Sequence, residues 1–96
     1  MISKADAITL VEEEINQFDP DWPTRPKRTV VDSLTVERGW GWALFYGVPE
    51  DFQVGHQGEL PSENPPYLVN KRTAEIEMTG LEQPLQYYLE RYEHRL

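Results

Sequence analysis

The sequence predicts a small α+β domain with an N-terminal helix, an antiparallel sheet of about four strands and a C-terminal helix. Three observations lead to this prediction. Apolar residues recur at helical spacing near both ends of the chain. Between them lie short runs of β-branched and aromatic residues, separated by proline- and glycine-containing segments. The chain has 96 residues, 39% of them apolar, which is enough for one core, so we expect a single domain over residues 1–96.

The N-terminal helix is predicted to begin after Ser3, whose side chain can cap it together with Asp6. Its predicted apolar stripe consists of Ala5, Ile8, Val11, Ile15 and Phe18. We expect the helix to end by Asp19, because the ring of Pro20 pushes the residue before it out of the α region. Three prolines between positions 20 and 26 then predict an extended crossing loop.

The middle of the chain predicts the sheet. We expect one strand over residues 29–37, a tight reversal at residues 37–39 and then an aromatic strand. Side-chain alternation along the aromatic strand predicts one bulky face, made of Trp40, Trp42, Leu44 and Tyr46. Residues 48–66 contain four prolines and are predicted to be a long loop. Strands at residues 67–70 and 75–79 should then form a hairpin, with Ile76 and Met78 on the half-buried side.

Pro84 is suited to the first position of the C-terminal helix. The predicted apolar stripe of this helix is Leu85, Tyr88, Leu89 and Tyr92. The spacing is that of buried residues, so we interpret these tyrosines as core. Trp40 and Trp42 on the aromatic strand are interpreted as core in the same way, rather than as a binding platform.

Charge and composition exclude several classes of function. The net charge is −8, which repels nucleic-acid phosphates and anionic membranes and accelerates encounter with a basic partner. We therefore expect neither nucleic acid nor a membrane as a partner. The chain has no cysteine, no apolar run of the roughly 18 residues that cross a bilayer, and early acidic residues that do not suit a signal peptide. These features predict a cytoplasmic protein.

The sequence contains no pattern typical of catalysis. The chain has two histidines and no cysteine. His56 is expected in a loop and His94 lies near the C-terminal end, so the two do not form a pattern typical of a metal site. Residues 12–14 are consecutive glutamates on a helix, pointing about a hundred degrees apart, and we interpret them as a solvated face. The acidic loop residues do not have EF-hand spacing. We therefore expect no catalytic residue, no metal and no cofactor, and we predict that the chain is not an enzyme.

The order of motifs resembles a known family. A glycine-tryptophan strand at residues 39–47 is followed by Pro66 and an aliphatic hairpin, a Glu-Ile strand at residues 75–76, Thr79-Gly80, and a Pro-x-x-Tyr-Tyr-Leu-x-x-Tyr helix at residues 84–92. Together these resemble the immunity protein 35 family, also called the YrhB-like domain. The resemblance covers nearly the whole chain and is strongest from Trp40 to Tyr92.

Two positions depart from the pattern of this family. Members commonly carry a glycine in the hairpin turn where this chain has Ala74, so we expect a turn here that does not require a positive φ. The loop before the hairpin usually contains Gly-Asn-x-Pro, and this chain keeps Asn64 and Pro66 without the glycine.

The resemblance implies a small bacterial immunity protein that binds and blocks a cognate toxin without catalysis. The acidic excess favours a basic toxin, such as a nuclease. The predicted partner-binding residues are acidic or aromatic residues in the two loops: Asp19, Asp21, Trp22, Glu50, Asp51, Glu59 and Glu63.

Two other hypotheses stay open at the level of sequence. One is a chaperone-like or housekeeping protein that binds non-native clients through exposed apolar surface, as a branch of the resembled family implies. The other is a small-ligand site between the sheet and the helices. An exposed edge strand would also allow a homodimer.

Overall fold

The predicted α+β architecture is confirmed in a computed structural model of the chain, which describes residues 1–20, 22, 24, 28–47 and 64–96. Helix α1 spans Lys4–Ile15 and helix α2 spans Leu85–His94. The strands of the described residues are β1 (Thr29–Val30), β2 (Val36–Arg38), β3 (Gly41–Leu44), β4 (Tyr46–Gly47), β5 (Tyr67–Asn70) and β6 (Ile76–Met78). Residues 48–63, most of the predicted long loop, lie outside the described residues.

The main sheet has four antiparallel strands in the order β2-β3-β5-β6. Strands β2 and β6 are therefore its two edges. Strands β1 and β4 form a separate antiparallel pair. Phe45 separates β3 from β4, and its carbonyl accepts a hydrogen bond from the Val31 N–H at 2.8 Å, which keeps the small pair beside the main sheet.

The two helices pack on opposite faces of the main sheet. On one face Ala7 and Val11 of α1 contact a cluster that includes Trp42, Leu44 and Val69. On the other face Leu89 of α2 packs against Ala43 and Leu68, with Leu85 and Tyr92 beside it. Ala43 and Leu44 are both fully buried, so packed side chains occupy the space between β3 and the helices where a small-ligand site was hypothesised.

The first helix follows its predicted start and departs from its predicted end. The capping box is confirmed: the Asp6 N–H donates to Ser3 Oγ at 3.1 Å, and the Ser3 N–H donates to Asp6 Oδ2 at 3.2 Å. The helix ends at Ile15, however, and Phe18 beyond it is 91% exposed. Ala5 is also exposed, whereas Ala7 is fully buried, so the predicted stripe was wrong at both ends. At the C-terminal end the reason is that residues 16–18 form a turn and not a helix, so helical spacing does not determine where the Phe18 side chain points.

The strand predictions before the aromatic run were also wrong in detail. Residues 29–37 are not one strand, because a 3₁₀ turn at Asp32–Leu34 divides β1 from β2. The reversal occurs at Gly39 and Trp40 rather than at residues 37–39. Trp40 therefore lies in a turn, where strand alternation does not apply. It packs with the α2 cluster instead of beside Trp42, and its ring centroid lies 4.5 Å from that of Tyr92.

The β5–β6 hairpin is confirmed, but its turn is not of the expected kind. Ala74 has φ +63°, so the prediction that this turn does not require a positive φ was wrong. Hydrogen bonds on both sides of Ala74 hold this conformation: the Ala74 N–H donates to the Asn70 carbonyl at 2.8 Å, and the Glu75 carbonyl accepts the Asn70 N–H at 3.0 Å. Strand β6 is shorter than predicted, and its half-buried side includes Ile76 but not Met78, which is 56% exposed.

Of the predicted stripe of α2, Leu89 is buried at 2% exposed, and Leu85, Tyr88 and Tyr92 are half-buried, so the tyrosines lie at the margin of the core rather than inside it. Pro84 occupies the N-cap position, one residue before the predicted one. Tyr88 lies against the segment that precedes the helix: a Cβ added to Gly80 would lie 2.6 Å from the Tyr88 hydroxyl oxygen. The absence of a side chain at Gly80 therefore allows this ring to approach the backbone closely.

Candidate functional site

Asp19 and Trp22 are the predicted partner-binding residues that the structure describes, and both lie just beyond the C-terminal end of α1. The others fall outside the described residues: Asp21, Glu50, Asp51, Glu59 and Glu63. The structure therefore brings together the first part of the predicted site, from the connector after α1.

Successive turns hold this connector close to the helix. The Asp19 N–H donates to the Asn16 carbonyl at 2.8 Å, and the Trp22 N–H donates to the Asp19 carbonyl at 3.2 Å. Asp19 and Trp22 are each half-buried. These turns keep Phe18, Asp19 and Trp22 close to the C-terminal end of α1.

Asn16 fixes the base of the connector. It is the C-cap residue of α1 and is only 2% exposed. Its amide nitrogen donates to the carbonyls of Glu12 and Arg28, both at 2.8 Å, and its amide oxygen accepts the Arg28 N–H at 3.0 Å. These bonds join the two ends of the connector. The apolar spacing of the sequence did not single out Asn16, because its role depends on a bond to Arg28, twelve residues away.

The glutamates of α1 have different environments. Glu12 is half-buried, and its carboxylate accepts the Val30 N–H of β1 at 3.0 Å. The interpretation of residues 12–14 as a solvated face was therefore wrong for Glu12, because β1 crosses the helix at that point. Glu13 and Glu14 are exposed. Of the three carboxylates, two are therefore available to a partner.

We define the α1-end surface as Glu14, Phe18, Asp19 and Trp22. Glu14, Phe18 and Asp19 line a shallow depression of about 310 Å³, with Arg28 at its side. Phe18 is almost wholly exposed, which is unusual for a large aromatic side chain in a folded protein. Exposed aromatic residues are enriched in protein–protein interfaces, where charged residues lie at the rim.

The charges at this helix end oppose the usual preference. The C-terminus of a helix carries a partial negative charge from the backbone dipoles, and basic residues normally stabilise it. The last turn of α1 contains no basic residue, and it contains Glu12, Glu13 and Glu14. Each like-signed charge costs about 0.3–1 kcal/mol at such a position. The C-terminal end of α1 therefore carries a concentrated negative charge.

Tyr67, a buried tyrosine of the α1 cluster, has a perturbed pKa. Burial raises the pKa of the Tyr67 phenol, the negative charge of Glu14 raises it further, and the positive charge of Arg28 opposes them. Tyr67 is 6% exposed and packs with the α1 cluster. Glu14 and Arg28 therefore both lie near enough to this ring to affect its ionisation.

Within the described ranges, no three histidine, aspartate or glutamate side chains are arranged to hold a metal ion. His94 is exposed at the end of α2, and His56 lies outside those ranges. Neither α1 nor α2 is long and apolar enough to cross a membrane. Comparisons of the chain with protein-family models, with curated proteins and with solved structures find no match.

Proposed function

We propose that this chain is a binding protein that neutralises a cognate bacterial toxin without catalysis, and that it contacts the toxin through the α1-end surface. The observation that carries the proposal is the exposed Phe18 ring beside carboxylates at a helix C-terminus. The resemblance of the motif order to the immunity protein 35 family supports a toxin as the partner. Blocking an active site or a substrate groove requires only occupancy of the toxin surface.

Phe18 provides the apolar anchor in this proposal. Burying a phenylalanine side chain contributes about 1.5–3 kcal/mol, and nearly all of this contribution is available because the ring is 91% exposed. Interfaces obtain most of their affinity from a few such residues in desolvated pockets. Trp22, four residues further along the chain, is half-buried and extends the aromatic surface.

The carboxylates provide the steering. Glu14 and Asp19 add their charges to the negative end of the α1 dipole, in a protein whose net charge is already −8. A basic toxin, such as a nuclease, would be attracted to this end of the molecule, with association rates that fall as salt rises.

The first test is an affinity pull-down of the tagged protein from its native host at low and at moderate salt, with identification by mass spectrometry. We expect one stoichiometric partner that is toxic when expressed alone and whose recovery falls as salt rises. A broad set of unrelated clients would instead favour the chaperone-like hypothesis. Recovery of no toxin, together with no protection of cells by co-expression, would contradict the proposal.

Variants of the α1-end surface then test the interface with the recovered toxin. Phe18→Ala is expected to weaken binding by about tenfold or more, mainly through faster dissociation. Asp19→Asn is expected to lower the association rate and its salt dependence. Leu34→Ala is a matched control, because Leu34 is another exposed apolar side chain, at 44%, on the 3₁₀ turn. Wild-type kinetics for Phe18→Ala would exclude this surface as the interface.

The acidic loop residues need a separate experiment. Neutralising Glu50, Asp51, Glu59 and Glu63 together should lower the association rate at low salt while leaving the folding stability nearly unchanged, if the loop contributes to steering. Unchanged binding kinetics would eliminate the loop as the steering surface and leave the α1-end surface as the candidate.

A further inference from the structure

A groove of about 680 Å³ runs between β6 and one side of α2. The aromatic residues Tyr87 and Tyr88 line part of it, Met78 borders it on the β6 side, and its charged residues include Glu77, Glu90, Arg91 and Arg95. Met78 is 56% exposed and Tyr87 is 38% exposed. The rings of Tyr87 and Tyr88 meet edge to face, with 5.3 Å between their centroids. A groove of this size with an apolar lining and polar groups is typical of a binding site.

The contacts of α2 show that the groove follows the edge of the sheet. On the β2 side of the helix, Glu93 accepts a hydrogen bond from Trp40 Nε1 at 3.1 Å. On the opposite side, Arg95 pairs with Glu77 of β6. Strand β6 is an edge of the main sheet. The groove therefore lies beside a strand whose outer edge pairs with no other strand of the described residues.

The register of the hairpin determines which backbone groups are available at this edge. The Asn70 N–H donates to the Glu75 carbonyl, so these two residues form a hydrogen-bonded pair across the strands. Paired and unpaired positions alternate in an antiparallel ladder, so the N–H and C=O groups of Ile76 and Met78 point away from β5. In the described part of the chain, these groups have no hydrogen-bond partner. They can accept one more strand.

Arg91 determines the charge of the segment that would fit. Its guanidinium donates to the Tyr87 hydroxyl at 2.8 Å and lies 5.5 Å from the centre of that ring. No carboxylate of the described residues lies within ion-pair distance of Arg91, whereas Arg95 in the same groove is paired with Glu77. Arg91 can thus form a charge-assisted pair with a carboxylate that arrives with the partner.

A second copy of this chain is a poor occupant of the same edge. Symmetric pairing of two β6 strands would bring Glu75 and Glu77 of each copy close to those of the other, and like charges across strands are destabilising. Each copy also carries a net charge of −8. Charged residues on an edge strand are a known protection against self-pairing.

We propose that the groove between β6 and α2 binds an extended polypeptide segment that pairs with β6 as an added strand, with an apolar side chain on Tyr87 and Tyr88 and a carboxylate on Arg91. Alternate residues of a strand point to the same face, so the apolar and the acidic residue of the segment are two positions apart. This site lies on the α2 side of the sheet. The toxin proposal concerns the end of α1, so the two proposals are independent.

The test uses N-acetylated, C-amidated octapeptides on a Thr-Val background and the full-length protein, with binding measured by fluorescence anisotropy. One set has Phe and Glu two positions apart, a second has them adjacent, and a third has Lys in place of Glu. We expect the first set to bind best. Methylating the peptide nitrogens that would pair with β6 should abolish binding, because strand addition requires these donors. The backbone amide signals of Ile76 and Met78 should shift on titration.

Two variants separate the groove from nonspecific binding. Arg91→Gln is expected to weaken binding of the first peptide set by about tenfold and to leave binding of the Lys set unchanged. The reason is that only the peptides with Glu form a charge-assisted bond with Arg91. Arg72→Gln is the matched control, because Arg72 is an exposed arginine in the β5–β6 turn, outside the groove.

Several results would overturn the proposal. They are no saturable binding by any set, a preference for the Lys peptides, tolerance of N-methylation, or equal affinities for wild type and Arg91→Gln. If the protein associates with itself and this association blocks the groove, a second copy is the occupant, and the proposal is likewise contradicted. Phe18→Ala should not affect peptide binding, so a failed toxin interface and a failed groove are distinguishable.

Discussion

Replacing Ala74 with glycine is expected to stabilise this protein. Ala74 has φ +63°, in the left-handed region where the Cβ of an L residue approaches the following carbonyl oxygen. That conformation costs about 1–2 kcal/mol for a residue with a Cβ. Glycine removes this cost, but it raises the conformational entropy of the unfolded chain, which opposes folding by about 0.4–1 kcal/mol. The midpoints of these two ranges, about 1.5 and about 0.7 kcal/mol, leave an expected net gain in the free energy of unfolding of about 0.8 kcal/mol.

The turn cannot avoid this cost by relaxing, because hydrogen bonds fix it from both sides. Asn70 is 7% exposed, and its side-chain oxygen accepts the N–H groups of Arg72 at 2.9 Å and Thr73 at 3.2 Å. Its main-chain carbonyl accepts the Ala74 N–H at 2.8 Å. On the other side of Ala74, the Glu75 carbonyl accepts the Asn70 N–H at 3.0 Å, and a change of φ at Ala74 would break this bond. The positive φ is therefore a consequence of how Asn70 organises the turn.

The assay is urea unfolding followed by tryptophan fluorescence, together with a thermal melt. We expect Ala74→Gly to raise the urea midpoint without changing the slope, and to raise Tm by about 2–8 °C for a domain of this size. Position 72 in the same turn provides the control. There φ is not positive, so Arg72→Gly should be less stable than Arg72→Ala by about 0.4–1 kcal/mol. The sign of the alanine-to-glycine change should therefore be opposite at the two positions.

A lower urea midpoint for Ala74→Gly would refute the reasoning. It would mean that the alanine side chain contributes more through its contacts than the left-handed conformation costs. Equal signs at positions 72 and 74 would likewise show that unfolded-state entropy, rather than backbone strain, decides the stability of this turn.

Three further predictions concern the core and the base of the connector. Leu89→Ala should lower the free energy of unfolding by about 2–5 kcal/mol in urea unfolding, because Leu89 is buried between α2 and the sheet and its removal leaves a cavity. Asn16→Ala should lower the free energy of unfolding by about 1–3 kcal/mol by the same measurement, since it leaves the Arg28 N–H without its hydrogen bond. A decrease below about 0.5 kcal/mol would mean that the bonds of Asn16 do not hold the connector in place. The pKa of the Tyr67 phenol is raised in the native state, so as pH rises the unfolded chain loses the phenol proton before the folded chain does. The contribution of Tyr67 to the free energy of unfolding should therefore be fully present below the ordinary pKa of 10.0 and fall as pH rises through the higher native pKa. Melts between about pH 9 and 12 should show a shallower decline for Tyr67→Phe, and identical slopes would contradict the assignment.

Local signals in the sequence predicted the elements whose formation depends on neighbours in the chain. Ser3 and Asp6 identified the start of α1 because a capping box is complete within four residues. The spacing of Leu85 and Leu89 identified the buried stripe of α2 for the same reason, and the hairpin strands were found by alternation.

The candidate sites were predicted less well. The sequence placed Asp19 and Trp22 in the connector after α1, and their role in partner binding stays a prediction. Phe18 was predicted as core, since its spacing fits a helix that in fact ends at Ile15. The groove beside β6 was not predicted at all, because no sequence pattern shows which strand forms the edge of a sheet.

The sequence by itself determined the α+β class, the two helices, the hairpin and the acidic character of the surface, since composition and short-range periodicity encode all of them. Only the tertiary structure decided that the helices lie on opposite faces of the sheet, that β6 is an edge, and that Ala74 adopts a positive φ. The physical reason is that these features depend on contacts between residues far apart in the chain, or on hydrogen bonds that form only once the turn is closed. Exposure of Phe18 belongs to the same group, because it follows from where Asn16 ends the helix by joining it to Arg28.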